Sequence, residues 1–101
     1  MDDAVRVVHV DTSEVRVSEW RLTPGASTRR RRHSCDVIIV PLTSGRMRVV
    51  RAGSDSVLEI TPGAAVLCSA PFEQEAFNDG DALVAFVEID LKDSVRRLIS
   101  G

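Results

Sequence analysis

Residues 25–45 read GASTRRRRHSCDVIIVPLTSG: four consecutive arginines, then His33 and Cys35, then an apolar run rich in β-branched side chains. A charge cluster that leads directly into a strand-forming run has two readings. It is a surface patch for an acidic partner, or it is a ligand-bearing strand whose metal-binding residues have been exchanged. Outward from this stretch, apolar residues recur with a period of two, as in Val15 and Val17, Met47 and Val49, and Leu58 and Ile60. That period is the pattern of half-buried strands. Turn residues separate the runs at short intervals, at TPG from Thr23, TSG from Thr43, AGSD from Ala52, TPG from Thr61 and NDGD from Asn78. Many short strands between Gly and Pro turns predict an all-β sandwich or barrel.

The chain has 101 residues, 44% of them hydrophobic, which suits one compact domain spanning residues 1–101. Thirteen Lys and Arg are outnumbered by fifteen Asp and Glu, for a net charge of -2. That balance argues against a general nucleic-acid binder, and Arg29 to Arg32 is the only local basic candidate. The start, MDDAVRVVHV, lacks the basic and continuously apolar character of a signal peptide. Nothing approaches the roughly 20 apolar residues that span a bilayer, so no membrane partner is expected and a cytoplasmic location follows by default. Cys35 and Cys68 read as an unpaired, buried pair.

Two runs, VIIVPL from Val37 and ALVAFVEI from Ala82, are more apolar than alternation requires and are expected as central strands covered on both faces. Leu91, Val95 and Leu98 stand at helical spacing behind the possible caps Asp93 and Ser94, which predicts a short C-terminal helix.

Several of these anchors stand at the spacings of the two cupin motifs. Gly25, Arg31, His33, Ile38 and Gly45 fall in the register of the first, and Gly63, Ser69, Pro71, Gln74 and Asn78 in that of the second. The flanks VRVSEWRLTPGA, VPLTSGRMRVV and NDGDALVAFVEIDLK are similar to those of small single-domain bacterial cupins. The chain therefore resembles the cupin superfamily over Val15 to Lys92. The resemblance implies a double-stranded β-helix, or jelly-roll barrel, with its core over residues 15–92.

Cupins typically hold one divalent metal with three histidines and a carboxylate. Transferred by position, that ligand set becomes Arg31, His33, Ile38 and Gln74, with only His33 retained. Arginine keeps its proton, isoleucine has no donor atom, and a glutamine carbonyl is a poor ligand for zinc or iron. No metal is therefore expected at these places; a zinc site of His33, Cys35 and Cys68 is the alternative. RRRRH reads as the family's His-x-His with its first histidine turned to Arg31. Alternation then puts Arg29, Arg31 and His33 on one face and Arg30 and Arg32 on the other, a solvated one.

For Arg31 two roles remain open. It forms an internal salt bridge to Glu73 or Glu75, or turns outward after a register slip; or else it joins His33 and Gln74 in a site for a carboxylate, enolate or phosphate group. Trp20 either stacks on a ligand at the barrel mouth or packs in the core, where Phe72, Phe77 and Phe86 are also placed, at least in part. His9 reads as a packed or edge residue. Three functions are compatible with this set. One is a metal-independent binder of a small anionic molecule through Arg31, His33, Gln74 and Trp20. Another is an isomerase, cyclase or lyase with His33 as acid or base and Arg31 as electrostatic stabiliser. The third is a non-catalytic scaffold. Small cupins are commonly dimeric, so a homodimer is the default, with VRVVHV able to supply an edge strand.

Overall fold

The computed structural model describes residues 3–92. In chain order the strands are β1 (Val5–Asp11), β2 (Val15–Leu22), β3 (Arg31–His33), β4 (Asp36–Pro41), β5 (Gly45–Arg51), β6 (Ser54–Ile60), β7 (Val66–Cys68), β8 (Phe72–Asn78) and β9 (Val84–Leu91). They form a five-stranded sheet in the order β1-β2-β9-β4-β7 and a four-stranded sheet in the order β3-β8-β5-β6. Every strand pairing is antiparallel. The expected jelly roll is present, and it begins earlier than residue 15, because β1 is hydrogen-bonded along β2. The C-terminal helix lies outside the described residues, apart from Leu91, which ends β9. Among the described residues no helix is long and apolar enough to cross a membrane.

The inner faces meet in a core of Trp20, Leu22, Ala26, Met47, Ala76, Val84 and Phe86. Two residues of the spacing pattern have evident structural duties. Gly45 has φ 154°, and a Cβ there would stand 2.8 Å from Val84 Cγ2, so only glycine lets β5 start against β9. Asn78 is buried; its amide donates to the carbonyls of Leu22 at 2.9 Å and Ala82 at 2.8 Å, and its carbonyl accepts the Gly80 N–H at 3.0 Å. It thereby satisfies backbone groups at the end of β2 and in the turn that leads into β9.

β4 and β9 are central, but among the described residues they are covered on one face only. Their inward residues are packed, whereas Ile38, Val40, Val87 and Ile89 stay half-buried on the outer face. Register aligns Leu67, Ile38, Ile89, Val17 and Val10 in one apolar row across the whole five-stranded sheet. Leu67 at that row's β7 end is 61% exposed. β1 adds exposed Val5, Val7 and Val8 at a free sheet edge.

Candidate functional site

A cavity of about 320 Å³ lies between the two sheets. Its wall is apolar over Ile39, Pro41, Val49, Leu58, Ile60 and Phe86, and polar where Arg31, His33, Arg51, Gln74 and Glu88 converge. The polar end follows from alternation. Arg31 and His33 point inward from β3 while Arg32 is exposed, and Arg31, Gln74 and Arg51 are successive cross-strand partners on one row.

Of the alternatives left open for Arg31, the inward one holds, but its partner is neither Glu73 nor Glu75. Its Nη1 donates to both carboxylate oxygens of Glu88, at 3.0 and 2.7 Å. Glu73 pairs instead with exposed Arg30 at 3.3 Å, and Glu75 accepts from the Ser27 hydroxyl. Arg29 does not share the inward face either. It takes φ 63° ahead of β3 and its guanidinium pairs with Asp3, because the strand alternation begins only at Arg31. The solvated reading of Arg30 and Arg32 agrees with their exposure.

Behind this pair lies a polar cluster that the sequence reading did not identify. Glu88 and Asp90 are both buried, and Arg6 reaches them at 3.9 and 4.0 Å. A signal for it was present in VAFVEIDL, since Glu88 and Asp90 lie two and four positions beyond inward Phe86 and so share its face. Burial, reinforced by the Glu88 charge, raises the Asp90 carboxyl above its ordinary range. Burial and the adjacent Arg31 charge lower the His33 imidazole, whose ring stacks on Phe72 at 4.4 Å. His33 is thus held toward its neutral form.

Trp20 belongs to the core. Arg31 lies over its ring at 4.7 Å and Arg6 at 5.2 Å, so it backs the two guanidinium groups and does not line the cavity. Phe86 is buried beside it, with ring centroids 6.4 Å apart. Gln74 does line the cavity, and its carbonyl accepts from Arg51 Nε at 2.9 Å. Ile38 faces away from the cavity, which is lined from β4 by Ile39 and Pro41. His9 is exposed and meets Glu19 at 3.2 Å.

The family's usual metal finds no suitable donor set at the motif places. Of those positions only His33 is a strong ligand, and the Arg31 guanidinium occupies the space beside it. His33, Glu88 and Asp90 do bring ligand atoms within 4.8 Å of one another. The Glu88 carboxylate, however, is hydrogen-bonded by Arg31, and Arg6 stands 3.9 Å from Glu88 and 4.0 Å from Asp90, whose Oδ1 has no hydrogen-bond partner among the described residues, so a divalent cation would meet two positive groups. The motif positions themselves do not supply the donor set of the family's metal. The cysteine alternative fares no better, because Cys35 and Cys68 form no such group with His33 among the described residues. Both thiols are free and half-buried.

No protein-family model matches the chain. It is 39% identical over 89 residues to the β-alanine degradation protein BauB of Pseudomonas aeruginosa, covering 88% of this chain and 94% of that protein. A cupin domain from Bordetella pertussis superposes with a TM-score of 0.85 at 32% identity, over 89% of this chain and 94% of that one. A cupin superfamily protein from Desulfitobacterium hafniense superposes with a TM-score of 0.71 at 15% identity, over 87% and 76% of the two chains, a likeness of fold alone.

Proposed function

This chain belongs to the cupin superfamily, and on that premise we propose that it binds a small organic anion inside the barrel without a metal. The observation that carries the reading is the two-part wall of the cavity. Its apolar side accepts a short hydrocarbon body, and its polar end offers guanidinium, imidazole and amide donors to a charged head. The name of the Pseudomonas relative refers to β-alanine, itself a small carboxylate-bearing molecule, which is in keeping with such a ligand.

Binding is favoured over acid–base catalysis by the state of Arg31. A guanidinium engaged by both oxygens of Glu88 has little charge left with which to stabilise a developing enolate. His33 and Gln74 form the polar wall beside it, and Trp20 supports the wall from behind. A panel of short carboxylates and their neutral amides, scored by melting temperature, tests the reading. Carboxylates are expected to raise the melting temperature and the amides to do so less; no response to either class would overturn it.

The chain is further proposed to pair with a second copy. The apolar row on the outer sheet face supports this, since such a face becomes self-complementary under a two-fold axis.

A further inference from the structure

We infer that the charge reader of this site is Arg51, acting with Gln74 at the cavity rim, and that the ligand is a monocarboxylate whose hydrocarbon chain runs inward. This rests on the small-molecule reading of the barrel and adds to it the residue that selects the head group. Two guanidinium groups line the cavity, Arg31 part-buried within it and Arg51 exposed at its rim, and they differ in their partners. Arg31 is neutralised by Glu88, whereas Arg51 has no carboxylate partner among the described residues.

Arg51 is nevertheless held in place. Its Nε donates to Gln74 Oε1 at 2.9 Å, and its guanidinium lies over the Phe72 ring at 4.8 Å. The first contact also orients the amide. An arginine only donates, so Gln74 must turn its carbonyl toward Arg51, which leaves the Gln74 NH2 as a donor. That NH2 and the Arg51 Nη groups have no hydrogen-bond partner among the described residues. Three features therefore meet at one rim: an uncompensated positive charge, a free amide donor, and an apolar wall below them. A carboxylate accepts from both donors and brings the counter-charge that the guanidinium lacks, which a neutral alcohol or a cationic amine does not supply. Fixing the guanidinium before binding also lowers the ordering cost of the contact.

The test titrates the full chain with hexanoate and with hexanamide, its neutral isostere, following side-chain nitrogen resonances. Hexanoate is expected to bind about tenfold more tightly than hexanamide and to shift the Arg51 Nε–H and Gln74 Nε2 signals. Arg51→Met keeps the aliphatic stem and should abolish that preference, with hexanoate losing the larger share of its affinity; Arg51→Lys should restore part of the preference, and Arg30→Met should retain it in full. A preference for hexanoate that survives in Arg51→Met would overturn the assignment and leave the small-molecule reading standing. Equal binding of the two probes by the unaltered chain would do the same to the carboxylate. If neither probe enters at millimolar concentration, the assignment and the small-molecule reading fall together.

Discussion

Arg31 Nη1 donates to both oxygens of Glu88 across the barrel interior, joining a strand of the four-stranded sheet to a strand of the five-stranded one. The Glu88 side chain is only 4% exposed and that of Arg31 22%. An inward arginine requires a counter-charge, and the fold supplies it internally, so a bound anion is not needed for the chain to fold.

Removing one partner of this pair should therefore harm stability before it harms recognition. Arg31→Met leaves a buried carboxylate with only the more distant Arg6, and is expected to cost about 2–4 kcal/mol in urea unfolding. The double variant Arg31→Met with Glu88→Gln should recover more than half of the loss. A stable Arg31→Met protein would mean that the pair is not formed in solution.

Purified protein should contain far less than one equivalent of zinc, iron, manganese or nickel by elemental analysis. The reason is the donor set, in which guanidinium groups stand on the carboxylates nearest His33. Near-stoichiometric metal, lost on both His33→Gln and Asp90→Asn, would show that the buried cluster is a metal centre and that the Arg31 contact opens to admit it.

Two buried groups give the stability a pH dependence of opposing signs. The His33 imidazole is lowered by burial and Arg31 from its ordinary value of 6.5, so the unfolded chain takes up that proton more readily. Its contribution is complete above 6.5 and is lost as pH falls from there toward the folded value. The Asp90 carboxyl is raised by burial and Glu88 from 3.8, so its proton is held more tightly in the folded barrel. That contribution is complete below 3.8 and fades as pH rises through the folded value. Urea midpoints followed from about pH 8 to below 3.8 check both signs. His33→Gln should flatten the decline on acidification and Asp90→Asn should steepen it; an unchanged slope in both would contradict the assignment.

For the proposed pairing, light scattering during size exclusion is expected to return twice the chain mass. Ile89 lies mid-row on the outer face, so Ile89→Glu should give a folded monomer with an unchanged circular dichroism spectrum. A monomer in the unaltered protein would remove the proposal.

The sequence by itself determined the all-β class, the strand and turn rhythm and the jelly roll, because period-two alternation and glycine or asparagine turns are local properties written along the chain. It also determined that Arg31 and His33 share a face opposite Arg32, and that the family's metal ligands are largely gone. It did not reveal that β1 joins the sheet, that Arg29 leaves the strand, or that Trp20 stands behind Arg31 and away from the cavity. Nor did it pair Arg31 with Glu88 or separate that neutralised arginine from the uncompensated Arg51. Alternation assigns a residue to a face, but its partner is chosen by which strands meet across the interior. Arg31 and Glu88 stand 57 positions apart and in different sheets, so only closing the barrel brings the guanidinium to its carboxylate.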